Sequence, residues 1–394
     1  MGFTKDRPLV YGRRKSPSRK RKFIMKVHRP VIGFVCLLAL LVSASVRLTA
    51  VGTQQHLLYV SVPGIRNEVG WGGVGILVYD MDKGHRLVKR IPTLPVIPGQ
   101  DAEAVKGICA NGHTGRLYLT TTRRLLCLDL QTDKILWDRS YEGGCDRPSL
   151  TPDGATLYLP MLEGPAWHVV DAATGDLRAT VQTNSGSHNT VCGLDGTAAY
   201  LAGLKSPLLS VVDTTTQKVV KTIGPFSNVI RPFTVNGRQS LCFVNVNDRL
   251  GFEIGDLKTG RVVAQVDVTG FPKGPVKRHG CPSHGIGLTP NEKELWLSDG
   301  FNNRIHLFDL THMPPTEITS IPLRDQPGWV TFSLDGRFAY PSTGEVIDTK
   351  TRRIVTALAD ETGKPVQSEK MVEVDFAGGK PSRAGDQFGL GRKR

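Results

Sequence analysis

Thr151-Pro152-Asp153-Gly154-Ala155-Thr156-Leu157-Tyr158-Leu159-Pro160, resumed at Trp167-His168-Val169-Val170-Asp171 and closed by Ala172-Ala173-Thr174-Gly175, carries the reading of the fold. A Pro-Asp-Gly turn opens a Leu-Tyr-Leu strand, a further apolar strand ends in Asp, and a second turn follows. Short alternating runs bounded by such turns read as β-strands. The pattern returns along the chain. The Leu-Tyr-Leu strand has counterparts at Leu58-Tyr59-Val60, Leu117-Tyr118-Leu119, Ala199-Tyr200-Leu201, Leu241-Cys242-Phe243, Leu295-Trp296-Leu297 and Phe338-Ala339-Tyr340. The strands after them end at Asp80, Asp129, Asp171, Asp213, Asp256, Asp309 and Asp348, spaced 49, 42, 42, 43, 53 and 39 residues apart.

A four-stranded unit of this length cannot bury both faces alone, but seven of them stacked about an axis can. The sequence therefore predicts an all-β chain, a seven-bladed β-propeller. Asp-Gly or Asn-Gly at 153–154, 195–196, 236–237 and 335–336 supplies the positive φ of primed hairpins. Each terminal Asp is expected to accept N–H groups of the following turn, so its repetition marks a turn-maker and not a catalyst. Blade one begins with its second strand, near Leu57. Its inner strand is expected from Lys370-Met371-Val372-Glu373-Val374-Asp375-Phe376, which would close the ring and leave no open edge.

Ser283-His284-Gly285-Ile286-Gly287-Leu288-Thr289-Pro290-Asn291, with Leu295-Trp296-Leu297-Ser298-Asp299 and Asn302-Asn303-Arg304-Ile305-His306-Leu307-Phe308-Asp309, resembles the YVTN-type propeller repeat. The resemblance covers nearly all of 52–376 and is weakest in blades one and seven. Relatives of this shape include surface-layer and periplasmic binding proteins, lactonase-like propellers and, more broadly, the haem d1 domain of nitrite reductases. The resemblance implies an exported binding propeller, with a lactonase-like hydrolase as the alternative.

The formal charge of +14 is concentrated at the N-terminus: eleven Lys/Arg and one acid in residues 1–30 leave only +4 for the rest. A nucleic-acid partner needs a basic face on the folded domain, so that class is excluded. Residues 31–46 (VIGFVCLLALLVSASV) are uncharged and apolar. After a basic leader such a run reads as a secretory signal or, uncut, as a signal anchor whose positive flank stays in the cytoplasm. A start at Met25 would shorten the leader. The expected division is 1–30 basic leader, 31–51 signal or anchor, 52–376 propeller and 377–394 flexible basic tail. The body is expected outside the cytoplasm, periplasmic or at the cell surface, with a membrane contact through the N-terminal segment if that remains.

In a propeller, residues just before the inner strands converge on one mouth of the axis. Alignment on the turns makes Asp146, His188 and His284 equivalent, with Gly107 and Gly328 in two other blades. Arg147, Asn189 and Trp329 lie one step further in, and Arg231 falls nearby in a blade whose turn reads one residue shorter. The expected site is the ring Asp146, Arg147, His188, Asn189, Arg231, His284 and Trp329, which would hold a small polar or anionic ligand by charge-assisted hydrogen bonds, or a protein partner. Long loops at 63–75, 92–103, 270–283 and 360–369 belong to the same face, with Glu103 and Glu369 bordering it. Two His with Asp146 also match metal-ligand types, but the histidines lie two blades apart and no metal is assigned. Hydrolysis would use a His as base and an Arg on the oxyanion. With no Gly-x-Ser-x-Gly, no catalytic residue is assigned. No CxxC or CxxCH occurs, and no cofactor is expected. Six cysteines beyond the leader permit bridges among Cys145, Cys192 and Cys281. His56, His85, His113 and His312 read as solvated turn residues.

Overall fold

The computed structural model describes residues 54–276 and 278–393. The leader and the signal or anchor segment, 1–51, lie outside the described residues. Among those described, no helix is long and apolar enough to cross a membrane.

Seven antiparallel sheets surround one axis. The inner strands are Val105–Asn111, Ser149–Leu150, Ser187–Cys192, Ile230–Val235, Ile286–Leu288 and Val330–Phe332 for blades two to seven, and Met371–Ala377 for blade one. All seven third strands end at the expected Asp. Asp129, Asp171, Asp213 and Asp256 each accept two backbone N–H groups at 2.7–3.1 Å from residues two and three positions on. These carboxylates occupy turn donors that the sheet leaves unpaired.

Blade one closes the ring as expected. Met371–Ala377 lies antiparallel to Gln54–Val62, pairing Val374 with Leu57 and Val372 with Tyr59. Ser61 N donates to Lys370 O at 2.9 Å, and Ser368 Oγ to Ser61 O at 2.6 Å. Apolar side chains fill the spaces between blades: Tyr158, Trp167 and Val169 of blade three meet Leu201 and Val212 of blade four. The outermost strands face water. Arg124–Asp129 is mostly buried, whereas its neighbour Ile135–Ser140 is mostly exposed.

Three local expectations are corrected. The turn at 153–154 is not a primed two-residue hairpin, because only Gly154 has positive φ (73°). It follows a turn closed by Gly154 N donating to Thr151 O at 2.8 Å, and Asp153 accepts from Ala155 N at 3.0 Å. In blade five the left-handed residue is Gln239 (φ 52°), not Gly237, and Asn236 N donates to Leu241 O at 3.1 Å as Thr151 N does to Thr156 O at 2.9 Å. That turn is not shorter than the others. His85 is buried and lies 2.9 Å from Tyr340 Oη; burial pushes its pKa down to about 4.

The chain after residue 376 is not a loose tail. Lys380–Ala384 adds a fifth strand to blade one, further in than its inner strand. Residues 386–391 then cross the axis. Thr331 Oγ1 donates to Asp386 O (2.8 Å), Ile108 N to Gln387 Oε1 (3.0 Å), and Thr234 Oγ1 and Leu288 N to Gly389 O (2.8 Å each). Four blades are thereby tied to one segment. A Cβ on Gly389, whose φ is 58°, would meet Gly287 Cα at 2.7 Å, so only glycine permits this approach. Phe388 and Leu390 are buried with Trp329, Phe233 and Val235. Composition hid this because two apolar side chains amid Gly, Arg and Lys suffice once an axial seat exists. The six cysteines outside the leader are buried and free, so the bridges among Cys145, Cys192 and Cys281 are absent among the described residues.

Candidate functional site

The residue opening the inner turn is Asn111, Thr151, Gly193, Asn236, Thr289 or Ser333, and in blade one, which has no such turn, the equivalent by register is Val374, opposite Leu57. Counting back five residues from each gives Lys106, Asp146, His188, Arg231, His284, Gly328 and Glu369. The next positions include Arg147, Asn189, Trp329 and Lys370. Backbone repetition thus sets seven residues of six types around one mouth, while the C-terminal segment fills the axis at the other ends of the inner strands. The count makes Lys106 the member from blade two, in place of Gly107.

At the centre is a chain of polar contacts. His188 Nδ1 lies 2.5 Å from Asp146 Oδ2, and Arg147 NH1 lies 2.9 Å from His188 Nε2. A guanidinium only donates, so His188 Nε2 accepts and its single ring proton sits on Nδ1, donated to Asp146. Burial lowers the His188 pKa against the pull of Asp146, which agrees with a neutral ring. Burial acts to raise the Asp146 carboxyl, but His188, Lys106 (Nζ–Oδ1 3.6 Å) and Arg147 outweigh it and hold it well below the usual range. Arg147 NH2 donates to Glu369 Oε2 at 2.8 Å, and Lys370 Nζ donates to the same oxygen at 2.6 Å. Trp329 lies beneath both cations: Arg147 Cζ is 5.0 Å and Lys370 Nζ 5.5 Å from its ring centre. Burial, with Arg147 nearby, lowers the Lys370 pKa to about 7 in spite of Glu369.

His284 completes the ring. Its Nδ1 lies 2.8 Å from Gly328 O, and its ring stands 5.6 Å from that of His279, a member from the 270–283 loop. His279 Nδ1 lies 2.9 Å from Glu369 Oε1. Burial acts to raise the Glu369 carboxyl, but Lys370 and Arg147 are among the charges that hold it well below its ordinary value. One donor atom from each of His279, His284 and Glu369 lies within 4.8 Å of the other two, a grouping able to hold a metal ion. The expected metal-type set fares worse, since both nitrogens of His188 are already engaged by Asp146 and Arg147.

The rim closes over this cluster. Arg66 NH2 donates to Arg278 O (2.9 Å), Arg278 pairs with Asp325 (3.0 Å) and stacks over Trp71 at 4.4 Å, and Gln367 Nε2 donates to Asp325 (3.0 Å). Loops 63–75, 270–283 and 360–369 therefore meet as their shared face required. Glu103 instead lies aside, bonded to Thr121 and Arg124.

Of the seven expected residues, Asp146, Arg147, His188, His284 and Trp329 are linked as neighbours. Asn189 bridges to Arg147 through its backbone, and its buried Oδ1 has no partner among the described residues. Arg231 turns toward the rim, where it donates to Asn247 Oδ1 (2.6 Å) and Gly280 O (2.9 Å). Lys106, His279 and Lys370 complete the cluster and were not read from the sequence. Lys106 and Lys370 follow from the repeat count once the turns are placed correctly; His279 sits in an irregular loop that no repeat indexes. A cavity at the opposite mouth, bordered by Arg383, Asp386 and Arg392, has no such convergence of imidazoles and buried cations.

No family model and no curated protein matches the chain. Among solved structures it is similar to a chain in the crystal structure of a mitotic checkpoint complex, at 14% identity and a TM-score of 0.58 over 82% of this chain and 95% of that one. It is also similar to a chain of hydrazine synthase from Kuenenia stuttgartiensis, at 15% identity and a TM-score of 0.44, covering 63% of this chain and 96% of that chain. At such identity the likeness speaks for the fold alone, and the fold is a seven-bladed β-propeller.

Proposed function

We propose that this propeller binds a small anionic ligand, a carboxylate or phosphate, at the mouth ringed by Arg147, Lys370, His188 and His284. The fold fits a protein- or ligand-binding role. The reading rests on a charge imbalance that holds below the Lys370 pKa of about 7: Lys106, Arg147 and protonated Lys370 then share only Asp146 and Glu369 among the described residues. Arg147 Nε–H is buried without an acceptor among the described residues, and Arg231 has neutral partners only. An anion would complete both the charge and the hydrogen bonds. The rim loops cover the cluster. Burial favours a small ligand over a protein surface as the occupant. The hydrolase alternative is disfavoured at His188, whose Nε2 is engaged by Arg147 and so is not free to take a proton.

The YVTN resemblance and the apolar segment 31–46 support export, with release or membrane anchoring set by whether that segment is cut; fractionation of the native host checks it. For the ligand, mass spectrometry of small molecules carried through purification, followed by equilibrium dialysis, is the test. Arg147→Gln is expected to weaken binding roughly 10- to 150-fold, the worth of one hydrogen bond to a charged group. Unchanged affinity in Arg147→Gln and Lys370→Gln would place the ligand elsewhere.

A further inference from the structure

We infer that His279, His284 and Glu369 form a site for one divalent transition-metal ion of the zinc class. The inference goes beyond the anion reading and does not depend on it. Two nitrogens and one carboxylate oxygen converge within 4.8 Å, and a three-ligand His/His/Glu set with room for a further ligand is a recurrent zinc arrangement. Imidazole-rich donors favour zinc-class ions over calcium or magnesium, which prefer oxygen alone. An ion also needs no cavity, which suits a cluster as covered as this one. Bonds near 2 Å would require the three donors to draw together by about 1 Å.

The hydrogen bonds around the histidines supply an independent observation. His279 Nε2 lies 3.1 Å from Gln326 O, and His284 Nδ1 lies 2.8 Å from Gly328 O. Each ring is thus anchored on a backbone carbonyl, the outer contact that fixes tautomer and orientation in metal-bound imidazoles. With those protons placed, Nδ1 of His279 is unprotonated; His284 Nδ1, 4.0 Å from Glu369 Oε1, carries the proton given to Gly328 O, so His284 must swing its Nε2 toward the ion to ligate it. His279 Nδ1 then directs its lone pair at Glu369 Oε1, 2.9 Å away. Two acceptors at that distance repel. A cation between them resolves the conflict, and so does a second proton on the ring; the two solutions differ in what they bind. Arg147 and Lys370 hold Oε2 of the same carboxylate, leaving Oε1 to the histidines. Their charge makes Glu369 a weaker donor than a free carboxylate, so the two imidazoles carry most of the binding.

The test uses untagged full-length protein, stripped with a chelator and titrated with ZnCl2 against a chromophoric competitor, with bound metal counted by elemental mass spectrometry. One equivalent is expected in the parent and in His113→Ala, whose side chain is exposed near the opposite mouth. Loss of an outer-shell contact alone weakens metal sites 10- to 100-fold, so His279→Ala and His284→Ala are each expected to weaken zinc by at least about 100-fold. Cobalt substitution should give visible d–d absorption that vanishes in the same variants. Circular dichroism confirms their folding, and if His284→Ala unfolds, His279→Ala in its irregular loop still decides. No bound equivalent in the parent at saturating zinc overturns the site and assigns the His279–Glu369 contact to a second ring proton. An equivalent that survives both substitutions overturns it too. The readout is bound metal alone, so failure of carboxylate or phosphate binding in the dialysis experiment leaves this result unchanged.

Discussion

Replacing Phe388 with alanine tests the axial seat of the C-terminal segment. The ring is 2% exposed and meets Trp329 edge-on, with centroids 6.1 Å apart. Truncating a buried Phe to Ala costs about 3–5 kcal/mol where the surroundings cannot collapse. A ceiling applies here, because the ring is carried by a segment able to leave its seat. The loss cannot exceed the free energy that docks residues 385–393. Two outcomes therefore support the reading. If docking is strong, the urea midpoint falls by an amount equivalent to about 3 kcal/mol. If docking is weaker, the midpoint falls less, the segment departs, and trypsin cuts at Arg392 and Lys393 without global unfolding. Urea titration followed by tryptophan fluorescence, with intact-mass analysis of a trypsin time course, separates the two. A variant with the parent's midpoint and the parent's cleavage rate would refute the seat altogether.

Asp146→Asn removes the charge that Lys106 and Arg147 share, and breaking a buried ion pair of this kind is expected to cost about 3–5 kcal/mol in chemical denaturation; an unmoved midpoint contradicts the described contacts. Glu373 is pushed up to about 8, chiefly by burial, with Asp375 adding and the Leu334 N–H opposing. Its folded pKa exceeds the unfolded value, so the unfolded chain loses its proton first and stability falls as pH rises from about 4.5 to about 8. Glu373→Gln keeps an acceptor for Leu334 and abolishes that slope, a gain of about 3 kcal/mol at pH 7; parallel pH–stability curves for parent and variant would count against it. A chain stopped after residue 370 leaves Gln54–Val62 as an open edge, and light scattering should show association where the parent is monodisperse.

The repeat was legible because each blade must solve the same local problems, a strand start, a turn and an Asp closing it, with the same residue types. Leu241-Cys242-Phe243 was read one residue out of register because Asn236-Gly237 resembles Asp153-Gly154 in composition, while the left-handed position belongs to Gln239. The same kind of slip substituted Gly107 for Lys106. Asp146, His188 and His284 were found because the axis converts repeat position into proximity. The partners that set their chemistry were harder to see. Glu369 was placed only at the border, and His279 enters from a loop whose path depends on its contacts with Gln326 and Glu369. The seat of Phe388 is a matter of shape, assembled from several blades, and no single stretch of sequence records it.

The pairing of Met371–Ala377 with Gln54–Val62 carries a consequence for biosynthesis. A ribosome delivers blade one's outer three strands before any other sheet and its fourth only after blade seven. The earliest blade must wait, incomplete, through nearly the whole of translation. Chaperone dependence should therefore concentrate on Gln54–Val62 until Met371–Ala377 emerges, while the blades between them form from neighbouring codons.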